Sequence, residues 1–233
     1  CKQAATANHS LVPPNIMSIE TITAVLQNVS VTIASMVAIF GIDAWRREHV
    51  GKRRMELAEE VLALFYQARD VIEEIRSPFG YGGEGSTRKG NPSESPEEKA
   101  VLDNAYVAIE RYMKHSEFFS KIHAVRYRFQ AQFGSAKSKP FDDLNRVIKD
   151  IVMASRQLGR YWGDRSPRTD KQLEEHIKKV RKLEAVFWKG GEDDVTQPKV
   201  EALVAEMEMT CRDTLLSKGT LFGLINLPLW GSK

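Results

Sequence analysis

The chain has 233 residues, 42% hydrophobic and 28% charged, which excludes a disordered polymer and leaves room for one or two ordinary domains. Its 34 Lys and Arg face 31 Asp and Glu, a formal charge of +3, too balanced to mark a nucleic-acid binder. Two cysteines, Cys1 and Cys211, stand far apart, so neither a disulfide framework nor a zinc site is indicated, and Cys211 reads as a half-buried helix residue in a reducing compartment.

The first residue, Cys1, is the residue on which a mature lipoprotein begins. Residues 1–16 show no hydrophobic periodicity, however, and Met17 directly precedes an apolar stretch. Met17 is therefore the expected start, and residues 1–16 stay outside the fold as a disordered or non-native segment.

Residues 21–42 carry no charge and are bracketed by Glu20 and Asp43. At about 1.5 Å per residue such a run reaches roughly the 30 Å of a bilayer's hydrocarbon layer. Trp45 suits the interface, and Arg46, Arg47, Lys52, Arg53 and Arg54 follow, whereas only Lys2 lies on the other side. The asymmetry predicts a single-pass transmembrane helix over residues 17–44, N-terminus outside and C-terminal domain in the cytoplasm. A buried core helix is the competing reading, since Gln27, Asn28, Ser30, Thr32 and Ser35 moderate the hydrophobicity. A cleaved signal peptide fits less well, because the positive charges follow the apolar run.

Ser30, Ala34 and Ala38 repeat every four residues with Gly41 close by, a small-residue face on which helix backbones approach closely. Gln27 and Asn28 are placed to hydrogen-bond across helices, and with Ser30 and Thr32 they are the candidate lining of a polar lumen. Self-association is the first expectation here; a conducting pore ranks behind it.

No proline interrupts residues 20–77. Leu57, Val61, Leu64, Ala68, Val71 and Ile75 follow alternating steps of four and three, a heptad seam. One long helix is expected through Ile75. Its seam is a candidate oligomer seam, with the domain's own helices as the alternative partner.

Pro78 ends that helix, and a glycine-rich loop occupies residues 77–95. Gly80 and Gly85 have P-loop spacing, but Ser86 stands where the lysine belongs and a helix precedes the loop instead of a strand. Ser86, Thr87, Arg88 and Lys89 remain a candidate anion site, beside the plainer reading of a connector.

Ser95, Pro96 and Glu98 spell a capping box. The helix they open carries Val101, Ala105, Ala108, Tyr112, Phe119, Ile122 and Phe129 at helical spacing and is expected to run to Phe133, with Gly134 as cap. It is long enough to form an antiparallel hairpin with the cytoplasmic part of the first helix. Pro140 opens a third helix, with Leu144, Val147, Ile148, Ile151, Leu158 and Trp162 on its apolar side. Residues 167–170 open a fourth, ended by Gly190 and Gly191, and Pro198 opens a fifth. No stretch alternates with period two, so the expected class is all-α: a transmembrane helix continuing into a cytoplasmic bundle of four to five helices over residues 45–217. Residues 218–233 form an apolar tail too short to span a bilayer, with docking on the bundle as its plainest use.

The histidines, His9, His49, His115, His123 and His176, match neither the Glu-x-x-His nor the His-Glu-x-x-His pattern. No nucleophile elbow occurs, and paired acids such as Asp142 with Asp143 sit at helix starts or loops. No enzyme activity, metal or cofactor is expected. Lys121, Arg126 and Arg128 interleave with His123, Tyr127 and Phe129. An amphipathic helix, aromatics to the core and arginines to water, accounts for this better than nucleic-acid binding.

The words at residues 45–48, 56–66, 75–80 and 84–89, with those at 140–145 and 183–188, resemble a group of uncharacterised bacterial single-pass membrane proteins with a helical cytoplasmic domain. The resemblance implies a bacterial inner-membrane location and a start at Met17; it assigns no activity and no functional residues. The expected function is a self-associating, membrane-anchored scaffold or sensor that presents its bundle to a cytoplasmic protein partner. A small oligomeric channel and a nucleotide- or anion-responsive protein using the loop at 80–89 are the alternatives.

Overall fold

The structure, a computed structural model, describes residues 19–216. The expected N-terminal segment 1–16, the start at Met17 and the apolar tail 218–233 lie outside the described residues. The chain divides into two units, Cys1–Val50 and Gly51–Lys233. Among the described residues every regular element is helical: α1 (Ile19–Ile75), α2 (Pro96–Lys114), α3 (Ser116–Phe133), a 3-10 turn (Ala136–Ser138), α4 (Lys139–Gly163), α5 (Asp170–Phe187) and α6 (Gln197–Leu216).

In the first unit, residues 19–50 of α1 are exposed at every position. By length and composition, α1 is the one helix among the described residues able to cross a membrane.

The second unit begins with the rest of α1 and folds round one apolar core. Local chemistry places its helix starts. Ser95 Oγ accepts from the Glu98 amide at 3.1 Å and Glu98 Oε2 from the Ser95 amide at 2.9 Å, so the box opening α2 is complete. Thr169 and Gln172 make the same reciprocal pair at the start of α5. Pro140 sits in the first turn of α4, where its missing N–H is no loss.

The helix expected to run unbroken to Phe133 is interrupted at one residue. His115 has φ −99° and ψ 16°, and α2 ends before it while α3 begins after it. No glycine or proline stands there. His115 Nε2 lies 3.1 Å from Glu74 Oε2 of α1, so the break falls where another helix meets the chain. The hairpin itself is as expected. Arg54 lies over the Phe133 ring at 4.7 Å, Glu60 meets Arg128 at 3.3 Å and Glu74 meets His115, so α1 from Gly51 onward runs antiparallel to α2 and α3.

Phe65, fully buried, meets Phe141 edge-on at 5.0 Å, and Phe129 stacks on Phe133 at 4.3 Å. α2 and α4 approach closely because Gly159 has no side chain: a Cβ there would stand 3.3 Å from Leu102 Cδ2. Ser155 Oγ of α4 donates to the Ala105 carbonyl of α2 at 2.6 Å, so this buried hydroxyl is satisfied. α6 closes the core with Val200, Met207 and Cys211. Cys211 is fully buried, beyond the half-burial expected, and burial pushes its thiol up to about 11, which makes it unreactive.

Candidate functional site

The apolar run of α1 satisfies its own hydroxyls. Thr23 Oγ1 donates to the Ile19 carbonyl, Ser30 Oγ to Leu26, Thr32 Oγ1 to Asn28 and Ser35 Oγ to Val31, each at 2.8 Å. Such bonds to the preceding turn let hydroxyls sit in a medium that offers no water. The side-chain amides of Gln27 and Asn28 have no partner among the described residues.

Successive helix residues advance by about 100°, which sorts these side chains into faces. Thr23, Gln27, Ser30, Ala34, Ala38 and Gly41 share one arc about 80° wide. Ile22, Val25, Val29, Met36 and Phe40 lie on the other side. Thr32 stands about 160° round from Ser30, so the lining expected for a lumen, Gln27, Asn28, Ser30 and Thr32, is spread over opposite faces. Gln27 instead joins the small-residue stripe, which sequence spacing alone had marked only as Ser30, Ala34, Ala38 and Gly41.

The heptad seam belongs to the protomer. Leu57, Val61, Leu64, Ala68 and Ile75 are each 4% exposed or less, and Val71 packs partly buried against the same core. These residues lie in one buried cluster with residues of α2 to α6, so the protomer itself covers them. The expectation of an oligomer seam over these residues is thus corrected to that of a core stripe.

The glycine-rich loop is tied to α2. Gly85 has φ +85°, and a Cβ on it would meet the Asp103 carbonyl oxygen at 1.9 Å, so only glycine allows this contact. The Gly85 amide and Thr87 Oγ1 both donate to Glu110 Oε2 at 2.8 Å. The anion held by the loop is therefore the chain's own Glu110 carboxylate. Burial would raise that carboxyl, and the bonds from Thr87, Gly85 and Lys114 overcome it and hold it below the usual range. Arg88 is gripped by Glu94 at 2.5 Å and Asp103 at 2.9 Å, and the Arg88 partner lowers Glu94 to about 2. Burial works against ionised Asp103, but Lys99 and Arg88 outweigh it and lower its carboxyl. Ser86 and Lys89 are exposed. Of the candidate anion residues Ser86, Thr87, Arg88 and Lys89, two are thus already bound by carboxylates.

Two buried arginines organise the same end of the bundle. Arg111 of α2, 4% exposed, donates to the Glu74, Ser77 and Phe79 carbonyls at 3.1, 2.8 and 2.8 Å and pairs with Glu84 at 2.6 Å. It therefore caps the C-terminus of α1 and fixes the first residues of the loop. The Arg111 bond holds the Glu84 carboxyl below its ordinary value. Arg76, fully buried, does the same for α5, donating to the Val186, Ala185 and Trp188 carbonyls and pairing with Asp194 at 2.6 Å. Burial would raise Asp194, but Arg76 and the amides of Gln197, Gly190 and Thr196 lower it. Lys189 pairs with Glu73 beside them. Sequence reasoning missed both arginines. The available signal was Arg111 itself, three residues past Ala108 on the buried side of α2.

At residues 121–129 the outcome is mixed. Phe129 is in the core, but Tyr127 is 59% exposed, and Arg126 is half-buried and paired with Asp142 at 2.8 Å. Aromatics inward and arginines outward is therefore corrected for Tyr127 and Arg126. Among the described residues no cluster of three or more His, Cys, Asp or Glu is arranged to hold a metal ion. No family model, curated protein or solved structure matches the chain.

Proposed function

We propose that the protein is a membrane-anchored interaction protein: a single-pass, self-associating helical scaffold or sensor. It holds the second unit at the cytoplasmic face of a bacterial inner membrane and presents it to a protein partner. One observation carries this reading. Residues 21–42 are charge-free and exposed throughout, and the hydroxyls of Thr23, Ser30, Thr32 and Ser35 bond within the helix. In water each large apolar side chain left out of the core forgoes about 1.5–3 kcal/mol of burial; in hydrocarbon that cost disappears. The cations from Arg46 to Arg54 support a cytoplasmic C-terminal side.

Self-association follows from the stripe. Its small residues let a second backbone approach, and Gln27 offers an amide that hydrocarbon leaves unbonded. A second copy meets both needs at once.

The experiment is alkaline extraction of the membrane fraction, followed by mass determination in detergent. Wild type is expected to resist extraction and to run as an oligomer. Ala34→Leu in the stripe shifts it toward monomer, whereas Val29→Leu on the opposite face does not. Release by alkali sinks the anchor, and a wild-type monomer, or an oligomer indifferent to Ala34→Leu, sinks the association.

A further inference from the structure

Five cations stand within nine residues of α1, Arg46, Arg47, Lys52, Arg53 and Arg54, against one acid, Glu48. Asp43 and Glu56 flank the stretch. At about 100° per residue the helix sorts these charges by side. Arg53, Arg46, Arg54 and Arg47 fall on one arc about 120° wide. Lys52 falls on the other side, with Glu48 four residues before it and Glu56 four residues after, and it faces Glu56 at 4.0 Å. The acids at and beyond Glu48 therefore answer the lysine and leave the arginines alone. Asp43 is the one acid on the arginine side, a turn nearer the apolar run.

Arg46, Arg47 and Arg53 are exposed, and their guanidinium groups have no hydrogen-bond or carboxylate partner among the described residues. Arg54 is half-buried over the Phe133 ring at 4.7 Å and pairs with no carboxylate either. Position along α1 decides what they meet. At about 1.5 Å per residue, Arg46 and Arg47 follow the last charge-free residue, Ile42, by roughly 6 and 7.5 Å, the depth of a headgroup layer. Arg53 and Arg54 follow by roughly 16 to 18 Å. Helix side chains lean toward the N-terminus, here back toward that layer, and a Debye length of about 8–10 Å spans what remains. Arginine also answers phosphate better than lysine does, because its planar fork makes two parallel bonds to one anion.

We propose that the arginine arc of α1, Arg46, Arg47, Arg53 and Arg54, binds the phosphates of anionic phospholipids on the membrane face where the helix emerges. This rests on the reading of residues 21–42 as the anchor and adds a lipid class to it. Positive residues orient a span in any bilayer, whereas an arc of unanswered arginines at headgroup depth distinguishes an acidic bilayer from a zwitterionic one. A nucleic acid on the arc would press its own phosphates against those of the bilayer. Closeness to the charge-free run and the choice of arginine together select the lipid.

The test uses the full chain in a neutral detergent, titrated with phosphatidylglycerol or with phosphatidylcholine of the same acyl chains. Native mass spectrometry counts the bound lipids. Phosphatidylglycerol is expected to bind saturably and at least about tenfold more tightly. Each cation near the surface is worth roughly fivefold, so Arg46→Gln, Arg47→Gln and Arg53→Gln together should erase that preference. Lys178→Gln, Lys179→Gln and Lys182→Gln on α5 remove the same charge elsewhere and should leave it intact. All six side chains are exposed, so both variants should keep wild-type helix content, which circular dichroism verifies. Equal affinity for the two lipids, a preference that survives loss of the three arginines, or one lost equally with the three lysines overturns the proposal. So does a labelled single-stranded RNA that outcompetes phosphatidylglycerol for the chain. A chain that is released from membranes by alkali yet still prefers phosphatidylglycerol through its arginines refutes the anchor and leaves the lipid site standing; the converse result does the opposite.

Discussion

The loop end of the second unit and the exposed face of α5 are both rich in charge, yet they handle it in opposite ways. Around the loop, Arg76, Arg88 and Arg111 are each matched to carboxylates, and Glu84, Glu94, Asp103, Glu110 and Asp194 all accept bonds from the chain. On α5, Glu174, Glu175, Lys178, Lys179, Arg181 and Lys182 all face water, with no close ion pair among the described residues. The difference teaches what each kind of charge contributes to the fold. Buried, matched charge fixes one backbone arrangement, because any other leaves an ion or a helix-end carbonyl unsatisfied. Exposed charge without a close partner stabilises little, because water and salt screen it.

The largest expected effect tests the loop end. Arg111→Met removes the cap of α1 and leaves Glu84 without its cation, and should destabilise the second unit by about 3–5 kcal/mol. Urea unfolding followed by far-UV circular dichroism measures it. A loss comparable to that of a surface substitution would show that the arginine is peripheral.

Acid provides the next contrast. Glu84, Glu94, Asp103, Glu110 and Asp194 all have carboxyls lowered by their partners, Glu94 to about 2. For a group whose folded value lies below its unfolded value, the stabilisation is complete above the unfolded value, about 4. It is lost as pH falls through the folded value. Stability should therefore decline from about pH 4.5 toward about pH 2, and the decline should be shallower in a Glu94→Gln variant. Urea midpoints across that range report it, and a flat profile would contradict the matched network.

The smallest effect is expected on α5. Arg181→Gln should change stability by no more than about 0.5 kcal/mol, since that side chain has no partner to lose. The same unfolding measurement checks this. A cost near that of Arg111→Met would erase the distinction between the two regions.

How much of this was legible beforehand depended on the reach of each interaction. Ser95 and Glu98 stand three residues apart, and their capping box forms as the spacing predicts. Pro78 and Pro140 mark a helix stop and a helix start for reasons internal to one residue. The break at His115 was not legible, because no local breaker causes it and its neighbour Glu74 lies on another helix. Arg76 and Asp194 are 118 positions apart, so nothing near either one reveals the pair. The loop shows the limit most clearly. Gly85, Thr87 and Arg88 have the residue types of an anion site, and they hold anions, but those are Glu110, Glu94 and Asp103 of the same chain.

By itself the sequence determined what depends on neighbours along the chain: helical periods, caps, the charge-free run and the stripe of small residues within it. Tertiary structure decided which faces are covered. The heptad stripe from Leu57 to Ile75 became part of one buried cluster with residues of α2 to α6, whereas the equally regular stripe of α5 stayed half open. Spacing records that a face is apolar; what covers that face depends on where distant segments pack.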